Sequence, residues 1–364
     1  MKLSGAQILC ESLLKEGVEV IFGFPGGAVL PLYDVFPQYP QLRHILVRHE
    51  QGAAHAADAY ARVTGKVGVC VATSGPGASN LVTGIANAHL DSSPVVAITG
   101  QVARPFIGKD AFQEIDITGI TVPITKHNYL VLRADEIAHS VKEAFHIART
   151  GRPGPVLLDI PRDVFIEEAT FSYPDKVEIR GYKPTIRGHA IQIKKAAKLI
   201  AESKRPVILA GRGVLISRAH EELKELAEKL QIPVLTTLLG VSCFPEDHDL
   251  SLGMIGMHGT AYANLAIDAS DLVIAIGMRF DDRATGKVSG FAPHAQIIHI
   301  DIDPAEIGKN VRVTVPIVGE VKNVLKSLNK QLEVTKHLEW IEQVGEWRRE
   351  HPLLVDHEGD KIPP

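Results

Sequence analysis

One carboxylate in this sequence stands where it could act on a ligand. Glu50 follows the apolar run Ile45-Leu46-Val47 and the pair Arg48-His49, and it opens the alanine-rich stretch from Gln51 to Arg62. The run reads as a buried strand and the stretch as a helix, so Glu50 falls at a strand-to-helix junction among small apolar neighbours. In an open α/β sheet, ligands bind outside the carboxyl ends of the strands. A poorly solvated carboxylate there can share a proton with a ligand nitrogen. An acid in a first helical turn is also favoured by the helix dipole alone. Ser74-Gly75-Pro76-Gly77-Ala78-Ser79-Asn80 opens another helix. Its amides could meet phosphate, but it lacks the Lys-Ser/Thr ending of a nucleotide loop and the dinucleotide spacing, so no phosphate site is assigned. Charge also collects in Gly277-Met278-Arg279-Phe280-Asp281-Asp282-Arg283 and in Asp301-Ile302-Asp303-Pro304. Acids at strand ends can accept ribose hydroxyls and arginines can meet phosphate; a solvated loop with internal ion pairs is the other reading.

The elements that must position these residues alternate regularly. A Ser-capped helix over 4–16 precedes the strand Glu19–Gly23, which ends in Phe24-Pro25-Gly26-Gly27-Ala28. Strands over 66–73, 94–100 and 155–160 read as continuous apolar runs, as a parallel sheet covered on both faces requires. A helix runs to about Leu90 and another over 135–149. Residues 101–116 break all periodicity, and a polar loop of that length inside a compact domain is usually functional or mobile. Strands 206–210, 232–237, 271–277 and 296–302 alternate with helices 188–203, 217–230 and 259–268. The fold class expected is therefore α/β, with two doubly wound parallel-sheet domains. The first is expected over 1–167 and the second over 188–332, with 168–187 as a linker. Residues 333–364 hold a short helix with Trp340 and Trp347 and then a polar end. Gly211-Arg212-Gly213 resembles a dinucleotide loop without its third glycine, a weak signal by itself.

With 364 residues, 45% hydrophobic and 23% charged, the chain has ordinary globular composition for two domains. A net charge of −4 with mixed signs argues against nucleic acid as the main partner. No apolar run is long enough for a membrane span. Cys10, Cys70 and Cys243 lie far apart without metal-ligand spacing and suit a reducing, cytoplasmic compartment. The 16 histidines form no metal pattern, and no metal ligand is assigned in this chain.

Several stretches together resemble the large, catalytic subunit of acetolactate synthase (acetohydroxyacid synthase), a family of thiamine-diphosphate enzymes. They are FGFPGGAVLPLYD, RHEQGAAHAADAYAR, ATSGPGASNLVTGIANA, DAFQEIDITGIT with ITKHNYLV, GMHGTAYAN, GMRFDDRATGK and HIDIDPAEIGKN. The resemblance runs from residue 3 to about 355. It implies three α/β domains: one meeting the cofactor's pyrimidine, a central one that binds FAD, and one holding diphosphate and Mg2+. This sequence matches the first two. The third domain's Gly-Asp-Gly signature has no counterpart beyond Gly359-Asp360-Lys361, so residues 333–364 are expected to be a linker cut before that domain.

The resemblance also implies roles. Glu50 matches the glutamate set against the pyrimidine ring nitrogen of thiamine diphosphate. Gly27 and Ala28 line that site, and Pro76 and Asn80 lie beside the pyrimidine. Phe112, Gln113 and Lys126 border the substrate channel, and Arg283 meets the carboxylate of the second 2-ketoacid, a task suited to a planar fork. FAD would be held by Arg152, Gly211, Arg212, Gly213, Thr237, Leu238, Met257, His258, Gly277, Arg279, Asp281, Asp301, Ile302, Glu306 and Glu320, with Arg212 standing where the family commonly has glycine. The activity implied is decarboxylation of pyruvate and carboligation to pyruvate or 2-ketobutyrate, in branched-chain amino-acid biosynthesis. A homodimer or higher homo-oligomer and a regulatory small subunit are the protein partners implied. Two other readings stay open. One is a related thiamine carboligase or oxidase, such as pyruvate oxidase or glyoxylate carboligase. The other is a non-catalytic, FAD-binding fragment.

Overall fold

The computed structural model describes residues 1–353, so Gly359-Asp360-Lys361 lies outside the described residues. The chain forms two compact units, Met1–Lys183 and a second that starts at Pro184.

The first unit contains β1 (Lys2–Ser4), β2 (Val20–Gly23), β3 (Arg43–Leu46), β4 (Gly68–Ala72), β5 (Val95–Gln101), β6 (His127–Leu130), β7 (Val156–Pro161) and β8 (Glu168–Thr170). Six of them make one sheet in the order β3-β2-β4-β5-β7-β6, parallel throughout. Strand side chains alternate between faces. Val69 and Val71 accordingly join one core with the helices Gly5–Lys15 and Ile137–Arg149, while Cys70 and Ala72 join another with Ala53, Ala54 and Ala57. Helices thus cover both faces. The order turns around between β2 and β4, and the crevice beyond their carboxyl ends is where such sheets take ligands.

Local chemistry starts the helices where expected. Ser4 Oγ accepts from Gln7 N while Gln7 Oε1 accepts from Ser4 N, a reciprocal cap. The helix Glu50–Thr64 begins at an extended His49, whose Nδ1 accepts from Gln51 N at 3.2 Å, and ends at a left-handed Gly65.

Two expectations need correction. The strand before Glu50 is Arg43–Leu46 and lies at the sheet's edge, with Leu46 62% exposed, because only β2 pairs with it. Residues 168–170, expected in a linker, form β8 and pair antiparallel with β1.

The second unit contains β9 (Pro206–Ala210), β10 (Val234–Thr236), β11 (Ser251–Met254), β12 (Leu272–Ile276), β13 (Gln296–Asp301) and β14 (Val315–Val318). The sheet order is β11-β10-β9-β12-β13-β14, all parallel, with the switch between β9 and β12. This is the doubly wound order of dinucleotide-binding sheets. Ile208, Ile274 and Ile276 face one core; Val207, Leu209, Val273 and Ala275 face the other. The helix Leu338–Glu350 adds Trp340, whose Nε1 donates to Pro206 O at 3.0 Å.

Cys10, Cys70 and Cys243 are free and buried, and burial pushes each thiol up to about 12. Among the described residues no helix is long and apolar enough to cross a membrane.

Candidate active site

The residues past the carboxyl ends of β2, β3 and β4 converge on Glu50. It is 8% exposed, and Asn80 Nδ2 donates to its Oε2 at 2.9 Å. Oε1 accepts no hydrogen bond from the described residues and lies over Gly77. A Cβ built on Gly77 would stand 3.2 Å from Oε1 and 2.7 Å from Thr73 Cγ2, so only glycine leaves the carboxylate its place. Thr73 reaches the other way, its Oγ1 accepting from Ala28 N at 3.1 Å across the β2/β4 crevice. Gly27 is open, with nothing within 4 Å of a Cβ built there. Pro76 starts the short helix Pro76–Asn80 and is exposed. Beside the cluster, Tyr33 Oη and His44 Nε2 bond at 3.0 Å. Burial first, and then the Glu50 carboxylate, push the Tyr33 phenol up. The site is a buried acid with one oxygen committed to an amide and the other left open beside a floor of glycines. That arrangement suits a flat heterocycle offering a ring nitrogen.

The loop after β5 reaches the same place. Gln113 has φ +57°, and its carbonyl oxygen lies 2.6 Å from where a Cβ on Gly75 would stand, so the loop rests on the turn that leads to Asn80. Phe112 beside it is 88% exposed.

Two further residues assigned to function lie at the other end of this unit's sheet. Lys126 precedes β6, at the amino ends of the parallel strands, whereas Glu50 lies past their carboxyl ends. Its Nζ donates to Ile147 O, to Thr150 O at 2.6 Å and to Tyr182 Oη at 3.0 Å. A cation there satisfies the carbonyls that end the helix Ile137–Arg149. The structure therefore does not bring Lys126 together with Glu50. Arg152 also sits at the amino ends, its Nε donating to Ser92 Oγ at 2.9 Å.

In the second unit the assigned residues share one end of the sheet. Gly211, Arg212 and Gly213 follow β9; Thr237 and Leu238 follow β10; Met257 and His258 follow β11; Gly277, Arg279, Asp281 and Arg283 follow β12. Asp301 ends β13, with Ile302 and Glu306 after it, and Glu320 follows β14. At the β9/β12 switch the backbones nearly touch. Gly213 N donates to Gly277 O at 2.9 Å, and a Cβ on Gly277 (φ +60°) would lie 2.5 Å from Gly213 Cα. Asp281 Oδ1 accepts from Ala284 N at 3.0 Å and Asp301 Oδ1 accepts from Asp303 N at 2.8 Å, so both acids also brace their turns. Glu306 pairs with Lys309 at 3.2 Å, and Glu320 accepts from Asn323 Nδ2. Arg283 is largely exposed, 3.7 Å from Asp282. The crevice has bare backbone at its centre and side-chain acids and arginines around it, as a dinucleotide site requires.

Sequence reasoning missed Thr73, Gly77 and the buried Asp159. The last was visible as the lone charge inside the apolar run Val156–Pro161. Among the described residues no group of three or more His, Cys, Asp or Glu side chains could hold a metal ion.

Residues 3–120 match the thiamine pyrophosphate enzyme, N-terminal TPP binding domain, and residues 193–328 match the thiamine pyrophosphate enzyme, central domain. The chain belongs to the thiamine pyrophosphate (thiamine diphosphate) enzymes, of which it carries these two domains. Within that class it is similar to acetolactate synthase large subunits. It is 56% identical to a probable acetolactate synthase large subunit of Methanocaldococcus jannaschii, over 100% of this chain and 62% of that protein. It is 55% identical to an acetolactate synthase of Mycobacterium bovis, over 99% and 59%. It is 53% identical to an acetolactate synthase large subunit of Corynebacterium glutamicum, over 100% and 59%. The chain thus spans about three-fifths of the length of the curated relatives it matches.

Proposed function

We propose that this chain forms the pyrimidine-binding and central parts of an acetolactate synthase large subunit. The reaction is decarboxylation of pyruvate and carboligation to a second 2-ketoacid, giving 2-acetolactate or 2-aceto-2-hydroxybutyrate in branched-chain amino-acid biosynthesis. The observation that carries the reading is Glu50, buried, tied through one oxygen to Asn80 and open at the other above Gly77.

Thiamine diphosphate, when bound, supplies the nucleophilic carbon and the electron sink. Glu50 Oε1 holds a proton against a ring nitrogen, and its low-dielectric setting strengthens that bond. Asn80 keeps the carboxylate from swinging away. Gly26, Gly27 and Gly77 keep the floor low enough for a ring to approach. Phe112 and Gln113 wall the substrate side, and Arg283 offers a fork to the second ketoacid's carboxylate.

FAD at the β9/β12 crevice is supported by the Gly211–Gly213 and Gly277 junction. Mg2+ and the diphosphate would be held by the diphosphate-holding domain of the assembled enzyme. The exposed Phe112 (88%), in the loop that rests on Gly75, supports burial of that loop against a second subunit. The relatives' designation as large subunits supports a smaller regulatory partner. Buried, free thiols support a cytoplasmic setting.

The test is Glu50→Gln in the holoenzyme assembled with a diphosphate-holding domain, thiamine diphosphate, Mg2+, FAD and pyruvate. Glutamine keeps the shape and removes the proton-sharing charge. Acetolactate formation should fall about 100-fold or more; an unchanged rate overturns the assignment.

A further inference from the structure

We infer that Gln101, braced by Asp159, is the positioning residue that seats the loop 102–116 against the turn carrying Asn80. The functional meaning of that seat rests on the proposed role of Phe112 and Gln113.

Asp159 is 1% exposed and stands opposite Thr99 in the β5/β7 ladder. Thr99 Oγ1 donates to its Oδ1 at 2.7 Å, and Gln101 Nε2 donates to its Oδ2 at 2.9 Å. The same Nε2 donates to Ile115 O at 2.9 Å, and Gln101 Oε1 accepts from Val102 N at 2.9 Å. One amide therefore ties the outgoing end of the loop to its returning end and both to a buried strand.

Other contacts do different jobs. Arg104 holds the outgoing arm to Asp163 and Glu167. Glu114 accepts from Gly108 N and from Ala111 N, bonds inside the loop that hold while the loop keeps its seat. The seat is demanding: Gln113 is in the left-handed region at φ +57°, with its carbonyl against Gly75. A non-glycine residue persists there only when its surroundings hold it.

The brace also tolerates a change of charge. A hydroxyl accepts as readily as it donates, so a protonated Asp159 can donate to Thr99 while its other oxygen still accepts from Gln101. Asparagine keeps both partners, its amide donating to Thr99 in a bond of reversed direction and its carbonyl accepting from Gln101, while its second N–H gains no acceptor.

Amide hydrogen exchange on the whole chain tests this, comparing the unsubstituted protein with Gln101→Met and Asp159→Asn. Methionine keeps the volume of Gln101 and removes its bonds. Gln101→Met should speed exchange at Gly108, Ala111 and Glu114 about tenfold, while the helix Ile137–Arg149 keeps its protection and so reports that the unit is folded. Asp159→Asn should stay within about twofold of the unsubstituted protein, the acceptor for Gln101 being kept. Unchanged exchange at those three amides in Gln101→Met, or a loop loosened equally by Asp159→Asn, overturns the inference. The readout needs no catalysis, so it fails independently of the proposed activity.

Discussion

Asn80 donates to Glu50 across 2.9 Å from a position 30 residues further along the chain. One comes from the helix after β3, the other from the short helix after β4. Their meeting settles which carboxylate oxygen is held and which is left open. Replacing Asn80 by alanine removes the donor and leaves a buried carboxylate oxygen unpaired. A loss of about 1–3 kcal/mol in unfolding free energy is expected, read by urea denaturation. No change would show that the bond contributes nothing to the seat.

Gly77→Ala attacks the same place through shape. The added carbon lies 2.7 Å from Thr73 Cγ2 and 3.2 Å from Glu50 Oε1. Overpacking of this kind costs about 1–3 kcal/mol and moves the carboxylate. Thiamine diphosphate titrated into the assembled holoenzyme should bind more weakly by the same substitution; equal affinity would mean that the floor has room to spare.

Gly277→Ala addresses the central crevice. It combines a left-handed backbone with a Cβ 2.5 Å from Gly213 Cα, so a loss of about 2–5 kcal/mol is expected. The absorbance spectrum of the purified protein should show less retained FAD than before the substitution. Flavin retained at full stoichiometry would place its site away from the β9/β12 junction.

Lys126→Met separates two roles. An amine capping helix carbonyls predicts a loss of about 1.5–3 kcal/mol in thermal unfolding, with the KM for pyruvate in the assembled enzyme unchanged. A raised KM with unaltered unfolding would support Lys126 at the substrate channel instead.

Burial first, with the Asp116 charge opposing ionisation as well, pushes Asp159 up to about 6 against bonds from Thr99 and Gln101 that lower it. The folded protein therefore takes up this proton before the unfolded chain does. Stability from this group rises as pH falls through about 6, and the gain is complete below the unfolded value of 3.8. Asp159→Asn removes the dependence. The substituted protein should be more stable than the original at pH 8 by up to about 3 kcal/mol, with the difference closing towards pH 4. Parallel stability curves across that range would contradict the direction of the shift.

Much of this architecture was legible because a parallel α/β chain announces itself locally. Ser4 and Gln7 cap a helix, continuous apolar runs make β4, β5 and β7, and glycines and acids cluster after strands. The short strands were not legible. β6 (His127–Leu130) is half-exposed and polar, β14 contains Pro316, which an edge strand tolerates, and β11 contains Gly253 at φ +74°. Each lies at a sheet edge, where pairing on one side replaces a strong local preference.

The sequence by itself determined which residues lie at strand ends. The period of each element is a local property, and a right-handed α/β succession then puts Glu50, Gly75 and Gly277 at carboxyl ends. Tertiary structure alone decided what those ends meet. Strand order made β3 an edge, and packing laid the Lys126 amine against Ile147 O, Thr150 O and Tyr182 Oη. Register set Thr99 beside Asp159, and close packing laid the Gln113 backbone on Gly75. These are contacts between residues far apart in the chain. Their energies depend on burial and on geometry to within a fraction of an ångström, which no local preference records.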